Sequence, residues 1–406
     1  TFVSVDADAN LEVRARFVLD SAGMLQVSQS IKNHGDDFNL ESLTTFLPVP
    51  DRVTDSLDFT GRWMNERQPQ RNKLQVGSWT REGREGRTGH DYTLIQFALA
   101  EGTTFEHGEA WGLSLAWSGN NRHVVERTAI GRTSLGAGEL LLPDEMVLAS
   151  NESYQAPTVV AVYANDGIDG ASHRLHSMLR ARPTHPTNIR PRPVTLNVWE
   201  AVYFDHDYDK LAALADAAAE IGVERFVLDD GWFGARRHDR AGLGDWVVSK
   251  DVWPNGLKPL IDKVKAEGLE FGLWFEGEMV NQDSDLYREH PEWILQAGGR
   301  VPPEFRTQQV LDLAHEGAYQ HVFNQTNAIL NELDIAYIKW DHNRVLVDAG
   351  HLGEAGVHRQ TQAIYRLFAE LKKRHAGLEI ESCASGGARI DLGVIDLVDR
   401  FWTSDN

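Results

Sequence analysis

Residues 225–232 read Arg225-Phe226-Val227-Leu228-Asp229-Asp230-Gly231-Trp232, an apolar run that ends on two carboxylates and a glycine. The form recurs. Val194–Trp199 is VTLNVW, Glu270–Glu276 is EFGLWFE, Ile335–Asp341 is IAYIKWD, Leu378–Cys383 is LEIESC and Arg400–Asp405 is RFWTSD. These are six strand-like runs, nearly all ending on a polar or charged side chain. Helical patterns lie between them near 208–221, 257–267, 284–290 and 357–374, and alternating βα units imply a parallel sheet. A doubly wound sheet gathers its ligands near one switch point, whereas a barrel uses the loops after every strand. The expected fold of residues 194–406 is therefore a TIM-type (β/α)8 barrel. It is incomplete here at about six strands, with two more strands and their helices expected beyond Asn406.

The N-terminal half has a different period. Leu11–Phe17 (LEVRARF), Leu25–Gln29 (LQVSQ) and Thr158–Tyr163 (TVVAVY) alternate, and turn-rich pieces such as Arg81–Arg87 (REGREGR) separate such runs. Residues 1 to about 175 read as all-β, and residues 1–180 as a β-sandwich. Residues 181–193 carry four prolines, Pro183, Pro186, Pro191 and Pro193, and read as an extended linker between the two domains. No G-x-G-x-x-G or P-loop opens a helix, so a nucleotide site has no support.

Composition narrows the function. The chain of 406 residues has 60 acidic and 40 basic side chains, a net charge of −20. That disfavours nucleic acid and anionic membrane surfaces, which attract basic patches. No apolar run is long enough to span a membrane. Cys383 is the single cysteine, so no intramolecular disulfide can form. The N-terminus lacks Met and lacks the pattern of a signal peptide; it reads as processed or truncated, and the expected location is cytoplasmic.

Asp341 follows an apolar strand, and Asp405 follows another. Two carboxylates at the ends of separate strands suit an acid and nucleophile pair for cleaving a glycosidic bond. Lys339 shares a face with Asp341, because side chains alternate along a strand. A neighbouring Lys keeps a carboxylate ionised, although a structural ion pair reads equally well. Asp229 and Asp230 suit sugar hydroxyls, a metal, or the cap of the next helix. No cofactor and no metal are expected. Asp205–Asp209 (DHDYD) reads as a loop entering a helix, and His315 and His321 lack zinc-site spacing. Cys383 has no evident His partner, so it reads as a contact residue or a buried core thiol rather than a nucleophile.

Further segments carry a family likeness. In order, they are NVWEAVYFD (197–205), FVLDDGWFG (226–234), GLGDW (242–246), FGLWFEGEMV (271–280), SDLY (284–287), HPEW (290–293), YIKWDHNR (337–344), ESCASGG (381–387) and WTSDN (402–406). Together they resemble glycoside hydrolase family 36, the bacterial-type α-galactosidases. GRWMNER (61–67) and LAWSGN (115–120) carry a weaker likeness in the N-terminal half.

The resemblance implies a retaining α-galactosidase acting on α-galactoside oligosaccharides of melibiose and raffinose type. It implies Asp341 as nucleophile and Asp405 as acid/base, the latter raised by an apolar setting and by the nearby nucleophile. It implies Trp199, Asp229, Asp230, Trp274, Arg306, Lys339, Asn343, Cys383 and Gly386 as sugar-binding positions. An N-domain loop reaching substrate or a neighbouring subunit would use Asp55 and Arg67. The full-length protein is expected to be a homo-oligomer, with a tetramer the form suggested. Three positions depart from the family pattern: Gly277 stands for Pro, His342 for Met and Thr307 for Asn. The same scaffold also suits an α-N-acetylgalactosaminidase or a galactosyl transferase. A carbohydrate-binding fragment without activity is the reading from a different class.

Overall fold

The structure is a computed structural model that describes residues 1–406. The chain divides into two compact units. One holds Thr1–Ile189 with Gly387–Asp396 and Asn406; the other holds Arg190–Gly386 with Leu397–Asp405.

The second unit is built on a parallel sheet of six strands in sequence order: β1 (Thr195–Asn197), β2 (Arg225–Leu228), β3 (Glu270–Phe275), β4 (Tyr337–Trp340), β5 (Glu379–Ser382) and β6 (Arg400–Phe401). The central strands are apolar because both faces are covered, as a parallel sheet requires. Phe226, Val227, Leu228, Phe271, Leu273, Ile338, Trp340 and Ile380 are all buried. Register aligns Trp274 with Lys339, and Lys339 with Glu381, so equivalent levels of three strands lie side by side. Helices cover the sheet. Tyr208–Glu220 buries Leu211, Ala215 and Ala218, and its N-cap Asp207 accepts the Lys210 N–H at 2.9 Å. Val357–Arg374 buries Ile364, Leu367, Phe368 and Leu371. No helix is long and apolar enough to cross a membrane.

Two helices depart from the sequence reading. Glu316–Glu332 is a seventeen-residue helix before β4 that was not expected. Its buried face runs Ala318, Tyr319, Val322, Phe323, Thr326, Ile329 and Leu330, and the Asn and Gln residues between them blur the apolar period. Gly167–Arg180 is a helix where residues up to about 175 were read as all-β.

The first unit carries a nine-stranded and a four-stranded antiparallel sheet. They face each other through a buried polar contact. Asp58 of the larger sheet accepts Trp79 Nε1 at 2.7 Å and Arg81 Nη1 at 2.9 Å from the smaller one. Alternation puts Leu57, Phe97 and Leu99 on the other face, where Ile168 and Ala171 of helix Gly167–Arg180 join their cluster.

The proline-rich segment is anchored as well as extended. It includes a 3₁₀ turn at Pro186–Asn188. Arg190 and Arg192 join an ion cluster at the N-terminal ends of β2, β3 and β5, where Arg225 Nη2 lies 2.7 Å from Glu270 and 2.9 Å from Glu379. The Arg225 side chain is fully buried and stacks over the Tyr337 ring at 4.2 Å. Removing one member of a buried ion network strands its partners. Arg225→Met is expected to cost about 3 kcal/mol of unfolding free energy, near the low end for such a break because Arg190 and Arg192 remain. Urea denaturation of the parent and the variant measures it.

Candidate active site

The C-terminal ends of β2, β3 and β4 bring four carboxyl groups together below the surface. Asp229 and Asp230 follow β2, Glu276 follows β3 and Asp341 follows β4. Their exposures are 3%, 5%, 0% and 7%. Four ionised carboxylates without partners would be prohibitively costly in such a place. Each is handled differently.

Lys339 Nζ lies 3.0 Å from Asp229 Oδ2, and both residues are buried. The amine therefore pairs directly with Asp229; the sequence reading set it beside Asp341, on which it acts through space. The carboxyl groups of Asp229 and Asp341 together raise the Lys339 ammonium against the effect of burial. Asn197 at the end of β1 also donates its side-chain amide to Asp229. Asp230 turns the other way and is gripped by Arg236, with Nε at 2.9 Å and Nη2 at 2.7 Å. Burial raises the Asp230 carboxyl, and Arg236 opposes that rise. Arg236 continues to Asn281 Oδ1 at 3.0 Å, and Asn281 Nδ2 donates to Thr307 O at 2.8 Å.

Asp341 keeps its charge through donors. Its Oδ1 accepts the His342 N–H at 2.8 Å and the Ser385 N–H at 3.4 Å. Its Oδ2 accepts Asn343 Nδ2 at 2.8 Å and Trp274 Nε1 at 3.3 Å. Burial alone would raise this carboxyl. The field of Lys339 and the hydrogen bonds from Asn343, His342 and Cys383 overcome it, and the group falls below the ordinary carboxylate range. Glu276 goes the opposite way. Burial, reinforced by the charge of Asp341, raises it to about 8, so it is a neutral acid at pH 7.

Asn343 is the hub of the second layer. Its Oδ1 accepts Ser385 Oγ at 3.0 Å and Arg306 Nη1 at 3.3 Å, and its backbone N–H donates to Glu276 Oε1 at 2.6 Å. Arg306 is exposed and, like Thr307, has a left-handed backbone, with φ of 54° and 57°. The Cys383 thiol is buried, and desolvation with the charge of Asp341 pushes it well above its usual range. It is no nucleophile. Asp405 also bears on that thiol. Trp199 is half-buried, held through its N–H by Asn197 Oδ1 at 2.9 Å and edge-on to Phe204.

Asp405 stands apart from the others. It lies four residues past the end of β6, in irregular backbone, and it is exposed. Trp402 Nε1 donates to Asp405 Oδ1 at 2.8 Å, and the Lys339 ammonium sits over the Trp402 ring at 4.9 Å. Gly386 explains why glycine is needed beside it. Its φ is +77°, and a Cβ there would meet Asp405 N at 2.9 Å and Cγ at 3.1 Å.

The structure thus links all eleven sequence-derived positions directly or through one intermediary, Asp230 through its backbone N–H, which donates to Asp229 Oδ1 at 2.9 Å. Sequence reasoning missed Glu276, Arg236, Asn197 and Trp402. All four lie inside or beside the motifs already quoted, and what marks them is burial beside an opposite charge or a donor. Asp55 is buried between Arg71 at 2.7 Å and Lys73 at 2.9 Å. Arg67 donates to Gly387 O at 2.7 Å.

Two departures from the family pattern have steric or polar reasons here. A Cβ on Gly277 would lie 2.5 and 2.6 Å from the Trp340 ring. The His342 ring points away from Asp341, 3.7 Å from the Glu278 carboxyl, which also accepts Trp340 Nε1 at 3.0 Å.

Comparison with known proteins gives a consistent result. The melibiase family model matches residues 153–406, and the model for the glycosyl hydrolase family 36 N-terminal domain matches residues 1–149. The chain is 41% identical over 404 residues to an alpha-galactosidase of Escherichia coli, covering 99% of this chain and 57% of that protein. It is 37% identical to alpha-galactosidase Mel36A of Lactobacillus acidophilus, covering 93% of this chain and 53% of that one. Among solved structures, AgaA of Geobacillus stearothermophilus superposes with a TM-score of 0.95 at 34% identity, covering all of this chain and 58% of that one. A variant of AgaA has been solved in complex with raffinose. The chain spans a little over half the length of the curated relatives it matches.

Two stability measurements test this geometry. Gly277→Ala is expected to lower stability by about 1–3 kcal/mol through overpacking against Trp340, read by chemical denaturation. Glu276 holds its proton more tightly folded, at about 8, than its ordinary value of 4.5. The stability this gives is fully present below pH 4.5 and is lost as pH rises through 8. Glu276→Gln removes that dependence, so its melting temperature should fall less than the parent's between pH 5 and 8; equal falls would contradict a neutral Glu276.

Proposed function

The chain belongs to the melibiase family, and on that premise we propose that it is a retaining α-galactosidase that removes terminal α-linked galactose from oligosaccharides of melibiose and raffinose type. The observation that carries the reading is Asp341. It is a buried carboxylate at a barrel strand end, kept below the ordinary carboxylate range by its donors and by Lys339. A nucleophile toward an anomeric carbon must be ionised, and its site must favour the positive charge that develops on the sugar ring.

In this reading Asp341 attacks the anomeric carbon and forms a galactosyl-enzyme. Asp405 donates a proton to the departing glycosidic oxygen, then takes one from the water that releases galactose. Asp229, paired to Lys339, and Asp230, gripped by Arg236, present carboxylate oxygens to sugar hydroxyls. Trp199 and Trp274 supply apolar faces for the C–H side of the ring. Arg306, Asn343, Cys383 and Gly386 complete the contacts. The raffinose complex of AgaA supports the substrate class. Homo-oligomer formation, with a tetramer the expected form, belongs to the same reading, and sedimentation of the full-length protein measures it.

Three measurements test the mechanism. Asp341→Asn should abolish release of nitrophenol from an aryl α-galactoside; retained turnover would refute the nucleophile. Asp405→Asn should slow raffinose cleavage by about 10²–10⁴-fold, the usual worth of a general acid, and slow an aryl substrate with a good leaving group much less. Proton NMR of the first-formed sugar should show α-galactose, and β-galactose would exclude retention.

A further inference from the structure

Glu276 is a fully buried acid whose neighbours are amides. Its Oε1 accepts the Asn343 backbone N–H at 2.6 Å, and its Oε2 accepts Gln308 Nε2 at 3.0 Å. It follows the last residue of β3, two places after Trp274, whose indole donates to Asp341. The backbone N–H of Asp341 donates in turn to Phe275 O at 2.8 Å. One short stretch, 274–276, therefore touches the Asp341 loop three times. Two of those contacts reach Asp341 itself. The third reaches Asn343, the residue whose side chain donates to Asp341 Oδ2.

We propose that Glu276 is a positioning residue for the Asp341 centre: its carboxyl group captures the Asn343 N–H and so fixes the turn that aims the Asn343 amide at Asp341. Without it the Asn343 N–H is a buried donor with no acceptor, and the turn relaxes to find one. Relaxation carries the side chain with it, because Cα and amide move together. Asp341 then loses one of its strongest donors, while Asp229 keeps Lys339 and Asp230 keeps Arg236. The defect should therefore fall mainly on the chemical step, since Asn343 is one sugar contact among several and the others stay in place.

The residue type follows from the same geometry. The position needs an acceptor toward Asn343, and it must not add charge beside Asp341. Glu276 meets both needs because burial and the charge of Asp341 keep it protonated at neutral pH. Gln is its uncharged counterpart. In a Gln variant the new amide would face Gln308 Nε2, and Gln308 can rotate to present its Oε1, which is buried and has no partner in its present orientation. Leu fills similar space and accepts nothing.

The test compares Glu276→Gln with Glu276→Leu in the full-length protein, and it rests on Asp341 being the nucleophile as read above. Steady-state kinetics with an aryl α-galactoside should show the Gln variant within about threefold of the parent. The Leu variant should lose about 10²-fold in kcat, the scale of a misplaced reacting group, with KM changed by less than about threefold. A Leu variant within about threefold of the parent in kcat, or one whose loss lies in KM, overturns the proposal. If the Leu protein does not fold, Glu276→Ala is read by the same criteria. A parent without α-galactosidase activity would sink the functional reading instead. Crystal structures of the variants then decide the positioning role alone. The 2.8 Å contact from Asn343 Nδ2 to Asp341 should persist in the Gln variant and open beyond hydrogen-bond range in the Leu variant. A contact kept in both overturns it.

Discussion

Four carboxyl groups are buried at the ends of three adjacent strands, and the arrangement of the site follows from how their charge is disposed of. Two buried cations are at hand, Lys339 and Arg236, and each is consumed by one carboxylate, Asp229 and Asp230 respectively. Glu276 gives up its charge by holding a proton. That leaves Asp341, which keeps its charge because neutral donors surround it and Lys339 is near. The balance is one uncompensated negative charge, located on one side chain. A catalyst of glycosidic cleavage needs such a charge facing the anomeric carbon, since the transition state is oxocarbenium-like. Neutralising Asp341 with its own cation would have solved the burial problem and removed the charge that the proposed nucleophile needs.

The same constraint explains why the surrounding shell is made of amides and backbone N–H groups. Such donors stabilise an anion without cancelling it, and they cost nothing to reorganise once the fold has set them. The fold sets them cheaply here. Parallel register places Trp274 beside Lys339, and the strand ends deliver Asp341, Glu276 and Cys383 within one layer. Gly277 belongs to this account. It follows Glu276 directly, at a point where the Trp340 ring of β4 lies too close for a Cβ.

Much of this was legible in the sequence. The apolar runs ending in Asp, Glu or Cys predicted six parallel strands, and six are present in sequence order. The polar ends predicted where the site would lie. What period and composition did not reveal were the pairings. Lys339 shares a face with Asp341 along β4, and only the position of β2, two strands away in the sheet, decides that it bonds Asp229. Arg236 sits in a loop six residues past Asp230, where no periodicity points. Glu316–Glu332 was overlooked because its buried face includes Thr326 and is interrupted by amides, so its apolar stripe is faint in one dimension although continuous in three. Glu276 lies inside a recurring motif, but nothing in one dimension distinguishes a neutral buried acid from a surface one.

Asp405, the proposed counterpart of Asp341, is held by a different part of the fold. Asp341 is buried, and its proton affinity is set by fixed donors. Asp405 is exposed, beyond the end of β6, and is oriented by Trp402, whose ring also carries the Lys339 ammonium. A nucleophile must stay ionised through the cycle, so isolation from water serves it. An acid that becomes a base within one turnover must hand a proton to a leaving group and then accept one from water. Trp402 and Gly386 fix the position of Asp405 without burying it: one donates to the carboxylate, and the other leaves room for its backbone. Fixed donors thus hold Asp341 at the end of its strand, while an indole and a glycine hold Asp405 in the irregular segment after β6.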